Sequence, residues 1–175
     1  RSLTQPLVCR FFLLGRAGIE AGCIAFAPAT KLRKPTLIAA MLDNTIRNYD
    51  LDSLTCVETL KSHGHAKPVT SISFSTAGNL MLTSSRDCAV LWRNNGSAAG
   101  RWSKVRTLSH PTAHIAQASF VPNSNALLVA FSDDSLLLWR WEGRDVKALS
   151  AKPYNLAIPK ADLWSSVYIS SIAVS

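Results

Sequence analysis

The sequence predicts an all-β chain assembled from repeated four-stranded sheets, and three observations carry that expectation. First, residues 63–93, HGHAKPVTSISFSTAGNLMLTSSRDCAVLWR, hold three short strand signals separated by tight turns. Second, this unit recurs. Phe26, Phe74 and Phe120 are spaced 48 and 46 residues apart, Asp43, Asp87 and Asp133 44 and 46, and the strand-end aromatics Tyr49, Trp92 and Trp139 43 and 47. A period of about 45 residues with a Gly-His start and a Trp finish is the sign of a propeller blade. Third, 47% hydrophobic against 17% charged residues supplies a sizeable core and argues against disorder. A lone unit of this kind has two open edges and buries little of its own apolar surface, so it needs copies on either side.

Residues 1–19 are expected to be an N-terminal extension or the outer strand of a preceding blade. The first blade is expected over 20–62, with strands at 23–27, 36–42, 45–49 and 56–60; Pro28 ends the inner strand. The second, over 63–109, takes 69–75, 80–84, 89–92 and 103–108, and Asn95-Gly96-Ser97 lies in a turn-rich excursion before its last strand. The third, over 110–150, takes 116–121, 127–131, 136–141 and 146–149. Its inner strands are almost continuously apolar, as expected for strands covered on both faces. Residues 151–175 are expected to form a long loop and the first strand of a further blade. Pro153, Pro159, Tyr154 and Trp164 make a strand unexpected at 152–164. That segment would either contact a partner or fold back to cover the ring.

The sequence starts at Arg1 without a methionine and ends on an alternating segment, 166–174, so both ends read as cut within a repeat. At about 40–45 residues per blade the length holds about four blades. Propellers close with about four to eight. An open section of a larger ring is therefore expected, with a four-blade ring as the alternative.

These repeats resemble those of WD-repeat β-propellers. The resemblance implies a section of three to four four-stranded blades within a larger ring. It also implies an internal hydrogen-bonded tetrad in the second repeat at His65, Ser85, Asp87 and Trp92, pinning outer strands to inner ones. The third repeat matches at Ser132, Asp133 and Trp139, with His110 near but not at the expected place. The first matches at Asp43, with Tyr49-Asp50 where Trp-Asp is usual and no histidine. Asp87 to Trp92 is one residue shorter than the family's interval. More narrowly, residues 37–40, 43–46, 69–73, 82–85, 89–92 and 120–125 are similar to the N-terminal propeller of WD-repeat proteins that also carry a TBC domain, proteins of the centriolar satellite and cilium. That similarity implies a cytoplasmic scaffold, at the cilium or centrosome and basal body. The TBC domain would lie outside this chain, so no GTPase-activating residue is assigned.

His65, Ser85 and Asp87 are the residue types of a nucleophilic triad. A buried indole N–H needs an acceptor, however, and a relay of hydroxyl, imidazole and carboxylate behind it satisfies all of them. Partial recurrence of the set favours architecture, so no catalytic residue, cofactor or metal site is expected. His63, His65, Cys56 and Cys88 are not at ligand spacing, and Asp133-Asp134 reads as a tight turn. The four cysteines, Cys9, Cys23, Cys56 and Cys88, read as reduced, mostly buried small hydrophobes.

No apolar run reaches the roughly 18–20 residues needed to span a bilayer. Residues 7–14 are interrupted by Arg10 and lack a cleavage pattern, so they do not read as a signal peptide. The net charge of +8 favours acidic partners. Lys31, Arg33 and Lys34 form one basic cluster, and Arg86, Arg93, Arg101, Lys104 and Arg106 another. These would serve either as a contact surface or as charges that discourage edge-to-edge strand pairing. The expected function is a non-catalytic scaffold binding other subunits of a large cytoskeletal assembly, or acidic surfaces such as tubulin, with Arg101, Trp102, Lys104, Arg106, Tyr154 and Trp164 as contact residues. The rival expectation is an RNA-binding subunit of a ribonucleoprotein. No aromatic residues interleave with the charges as a stacking platform would require.

Overall fold

The computed structural model describes residues 21–28, 36–61, 64–96, 101–141 and 154–156. Among them the regular structure is strand throughout, in three antiparallel four-stranded sheets. The first sheet is ordered β1 (Ala21–Ala27), β2 (Thr36–Met41), β3 (Ile46–Asp50) and β4 (Cys56–Leu60). The second is β5 (Val69–Phe74), β6 (Leu80–Ser85), β7 (Ala89–Asn94) and β8 (Trp102–Leu108). The third is β9 (Ile115–Phe120), β10 (Ala126–Phe131), β11 (Leu136–Arg140) and β12 (Tyr154–Leu156). Each sheet meanders from one strand to the next. This is the all-β, repeated-blade architecture expected from the sequence.

The sheets are copies down to their irregularities. The register of β1 on β2 slips at Gly22, that of β5 on β6 at Thr70, and that of β9 on β10 at Ala116. A bulge bends the strand and sharpens its twist, and here it sits at the same point of each inner strand. Tyr49 faces Leu37, Trp92 faces Met81 and Trp139 faces Leu127, so the three strand-end aromatics occupy one register position.

The middle sheet is covered on both faces, and its side chains divide by parity. Met81, Val90 and Trp92 point toward the first sheet and pack with Ala27, Ile38, Ala40 and Ile46. Leu80, Leu82, Ala89 and Leu91 point the other way and pack with Phe120, Leu127, Val129 and Phe131. Every residue of β6 is buried for this reason. Two apolar faces leave no place for a polar stripe, so the alternation that marks a half-exposed strand is missing. On β1, Cys23 turns toward Val69 of the second sheet, while Ile24 and Phe26 on the opposite face are more than half exposed.

The third sheet departs from expectation at its outer strand. Residues 146–149, expected there, lie outside the described residues, as do 1–20. The position beside β11 is taken by Tyr154–Leu156, which pairs Leu136 with Leu156 and Leu138 with Tyr154. These three residues fall inside the segment expected as a long loop. Pro153 and Pro159 argued against a strand, but they flank the paired residues, so no ladder amide is lost.

Leu127 is fully buried between the second and third sheets. Leu127→Ala is expected to destabilise the protein by about 2–5 kcal/mol. Urea unfolding should show this as a lower midpoint with an unchanged slope.

Candidate functional site

The densest polar cluster in the described structure lies on the face of the second sheet that meets the first. Trp92, on β7, donates its indole N–H to Thr83 Oγ1 at 3.0 Å. Thr83 Oγ1 is 2.8 Å from His65 Nε2, and His65 Nδ1 is 2.9 Å from Ser85 Oγ. Ser85 donates its hydroxyl hydrogen to Asp87. Asp87 also accepts the Ala66 amide at 2.8 Å.

The directions follow from counting hydrogens. Ser85 has one hydrogen and gives it to Asp87, so it accepts from His65 Nδ1–H. A neutral imidazole then accepts at Nε2 from the Thr83 hydroxyl, which in turn accepts from Trp92. The relay runs one way, from indole to carboxylate, and joins the segment before β5 to the β6–β7 turn and to the far end of β7. Each member would cost about 1–3 kcal/mol if buried without a partner.

Thr83 is the member that sequence reasoning missed. His65, Ser85, Asp87 and Trp92 come together, but Trp92 reaches His65 only through the Thr83 hydroxyl. The available signal was parity: Thr83 and Ser85 are two apart on a strand, so they share a face.

The other repeats show what the relay needs. By register, Ala39 and Val129 stand where Thr83 does, and Met41 and Phe131 where Ser85 does. Neither sheet has a middle hydroxyl. Ser132 falls one residue beyond the Ser85 position, and a one-residue shift moves a side chain off that face. It is exposed in the turn and accepts the His114 amide at 3.1 Å. His110 stacks on Phe131 instead, with ring centroids 5.0 Å apart. Trp139 is buried against the second sheet, and Tyr49 is half-buried.

Asp43 and Asp133 have a different task from Asp87. Asp43 Oδ1 accepts the amide and hydroxyl of Thr45 at 3.0 and 2.6 Å. Asp133 Oδ1 accepts the same groups of Ser135 at 3.1 and 2.6 Å. Both lie in turns closed by Met41 N–H to Thr45 and by Phe131 N–H to Ser135, with Asn44 and Asp134 at positive φ. In the second sheet the turn is one residue shorter, closed by Ser85 N–H to Cys88 at 3.0 Å. Cys88 stands where Thr45 and Ser135 stand and offers no comparable cap. Asp87 is therefore directed back to Ser85 and Ala66.

The electrostatics agree with this division. Hydrogen bonds from Thr45 and Ser135 hold Asp43 and Asp133 below the usual carboxylate range. Burial alone would raise Asp87, but the Ser85 hydroxyl and Ala66 amide outweigh it and hold the carboxyl low. Burial, with the Asp87 charge adding to it, pushes the Cys88 thiol up to about 11. Burial does the same to Cys23. Of the four residues weighed as metal ligands in the sequence, His65 and Cys88 meet, their Nδ1 and Sγ 3.3 Å apart. Cys56 is exposed on β4, and residue 63 lies outside the described residues.

The residues expected to contact a partner separate into two groups. Arg101 and Lys104 are exposed at and beside β8, and Arg106 is half-buried on it. Trp102 is corrected to a core residue: it is 5% exposed and packs on Phe74 with centroids 5.9 Å apart. Trp102 and Lys104 share one face of β8, ahead of the register slip at Val105, and what separates them is cover: Phe74 lies over Trp102 at the start of the strand. The Trp102 amide also donates to the Glu58 carboxylate at 3.2–3.3 Å, tying β4 to β8 across the sheets. Burial raises the Glu58 carboxyl, opposed by that amide and by Arg101. Tyr154 is a β12 strand residue opposite Leu138, and Trp164 lies outside the described residues.

The family model described as "WD domain, G-beta repeat" matches residues 54–92. "TBC1 domain family member 31" of Oryzias latipes is 33% identical over 131 residues, 74% of this chain. The Xenopus laevis protein of that name is 32% identical over 128 residues, 73% of this chain. The chain spans 11% of the length of each of these relatives. Among solved structures, the β-propeller domain of Cps50 (Swd1) from Myceliophteria thermophila superposes with a TM-score of 0.58 at 23% identity, over 81% of this chain and 40% of that one. The structure titled U3-55K superposes at 0.51 and 16% identity, over 70% and 40%. At these identities the structural likeness concerns the fold alone.

Thr83→Val keeps the shape and removes the hydroxyl, leaving Trp92 N–H and His65 Nε2 to lose their partner. A loss of about 1–3 kcal/mol for each orphaned group is expected in denaturant unfolding. Glu58→Gln tests the opposite sign. A carboxyl raised in the folded state is penalised once ionised, so the wild type loses stability relative to this variant as pH rises through the carboxylate range. The difference between the two unfolding midpoints should grow from pH 4 to pH 7.

Proposed function

Taking the chain as a section of a WD-repeat β-propeller, we propose that it is a non-catalytic scaffold that binds other proteins through the basic outer strand β8. The observation that carries this reading is the closure of the polar relay. Ser85 is 0% exposed and its hydroxyl hydrogen is committed to Asp87. A nucleophile in that position cannot reach a substrate carbonyl, and its neighbours serve to pin β5, β6 and β7 together. The chemistry left at the surface is positive charge on a rigid edge, at Arg101, Lys104 and Arg106.

A rigid basic edge suits an acidic protein surface, because complementary charge sets the encounter rate and the register of docking. The setting we propose is a large cytoskeletal assembly of the cilium or centriole, in the cytoplasm, with tubulin as the acidic partner. RNA is the rival polyanion, and the net charge of +8 favours it equally. Burial of Trp102 counts against it, because the aromatic nearest the charges is withdrawn from the stacking that single-stranded nucleic acid uses.

The double variant Arg101→Glu, Lys104→Glu changes exposed positions alone and should fold. Its affinity for polymerised tubulin, measured by co-sedimentation, is expected to fall about tenfold, and the salt dependence should flatten. Unchanged co-sedimentation would remove β8 as the contact surface. Salt-steep binding to a single-stranded RNA probe, with none to tubulin, would transfer the reading to RNA.

A further inference from the structure

The shortened β6–β7 turn gathers three metal-ligating atoms, among them a thiol where the other two sheets carry the hydroxyls of Thr45 and Ser135. His65 Nδ1, an Asp87 carboxylate oxygen and Cys88 Sγ all lie within 4.8 Å of one another. Nδ1 and Sγ are 3.3 Å apart. In a tetrahedral site with Zn–N about 2.0–2.1 Å and Zn–S about 2.3 Å, nitrogen and sulfur ligands stand about 3.5 Å apart. The pair therefore already has the separation that a shared ion requires.

We propose that His65, Asp87 and Cys88 form a binding site for a zinc-class divalent cation, with the Ser85 hydroxyl or a water completing the tetrahedron. One imidazole, one thiolate and one carboxylate select a borderline-soft ion over magnesium or calcium, which take oxygen ligands. The two negative ligands neutralise the ion, which matters where His65 and Cys88 are buried. Asp87 is only half-buried and lies on the route in from solvent. The outer support is in place as well. Metal-bound histidines have the second ring nitrogen held by a hydrogen bond, and here Thr83 holds Nε2.

The proton balance is simple. Binding displaces the Cys88 thiol proton to solvent and moves the imidazole proton from Nδ1 to Nε2, leaving the ring neutral. Thr83 then accepts from both Nε2–H and Trp92 and turns its own hydrogen toward Val90 O, 3.5 Å away. Ser85 turns its hydrogen from Asp87 to the Cys88 carbonyl, 3.2 Å away. Nothing is oxidised or reduced. The residue at the Cys88 position in the other turns is a hydroxyl, Thr45 or Ser135, and there the aspartate is occupied by it. Both the thiol and the missing turn residue are thus specific to this repeat.

Cobalt(II) provides the test. The metal-free full chain titrated with Co2+ should develop thiolate-to-cobalt charge-transfer absorption and strong tetrahedral visible bands at one equivalent, and Zn2+ should abolish them. Cys88→Ser should remove the charge-transfer band, while Cys23→Ser and Cys56→Ser keep it. Thr83→Val should weaken the affinity about 10–100-fold, as loss of an outer support does. Should Cys88→Ser fail to fold, alkylation of the wild-type chain in partial denaturant, where Cys88 is labelled without metal, decides the matter: Zn2+ should slow the labelling of Cys88 and leave that of Cys56 unchanged. Absence of the cobalt band, its loss in Cys56→Ser rather than Cys88→Ser, or an unprotected Cys88 would overturn the site.

Discussion

A four-stranded sheet with two apolar faces cannot stand in water alone, and the covering of the middle sheet on both sides is what the rest of this structure depends on. Its parity is strict: Met81, Val90 and Trp92 face one neighbour, Leu80, Leu82, Ala89 and Leu91 the other. Burying a Leu- or Met-sized side chain contributes about 1.5–3 kcal/mol, so these seven residues outweigh any single polar contact in the molecule. The interfaces also decide where polar atoms can be placed. A hydroxyl or imidazole on either face must arrive with its partners, because the neighbouring sheet offers it none.

That requirement accounts for the relay. His65, Thr83 and Ser85 are buried polar residues on a face otherwise filled by Met81, Val90 and Trp92. Each is tolerated because the next one satisfies it, ending on Asp87 at the rim. Where the hydroxyl at the Thr83 position is replaced by Ala39 or Val129, the same register holds with an apolar filling, so the relay is an addition to the blade and not a condition for it. Its gain is local fixation of the segment before β5, through the His65 ring and the Ala66 amide. The shorter turn makes this geometry available by taking away the cap that Asp43 and Asp133 use.

The sequence disclosed the repeat because three aromatics and three aspartates recur at nearly constant spacing, and the structure places each set at one register position. Strand parity was legible too, and it would have identified Thr83. Other features were hidden for physical reasons. Trp102 reads as a surface aromatic because it follows Gly100 and Arg101 and precedes Lys104; its burial depends on the nearness of Phe74 and of Glu58 on the neighbouring sheet. Tyr154–Leu156 sits between two prolines, and a three-residue outer strand carries too few side chains to show a period. The meeting of His65 with Cys88 spans 23 residues and depends on a turn whose length, not its composition, sets the geometry.

Length is also what separates architecture from function in this chain. A blade repeats because its packing repeats, so features shared by all three sheets report on the ring: the bulges at Gly22, Thr70 and Ala116, the strand-end aromatics, the apolar inner strands. Features confined to one sheet have no such explanation. The second sheet alone combines the one-residue-shorter turn, the thiol at position 88, the complete relay and the basic strand β8. All four lie within residues 64–108, and the relay and β8 meet at Trp92, which bonds Thr83 on one side and pairs with Lys104 on the other. A change in the relay therefore has a direct mechanical route to the proposed contact surface, through one strand and one side chain.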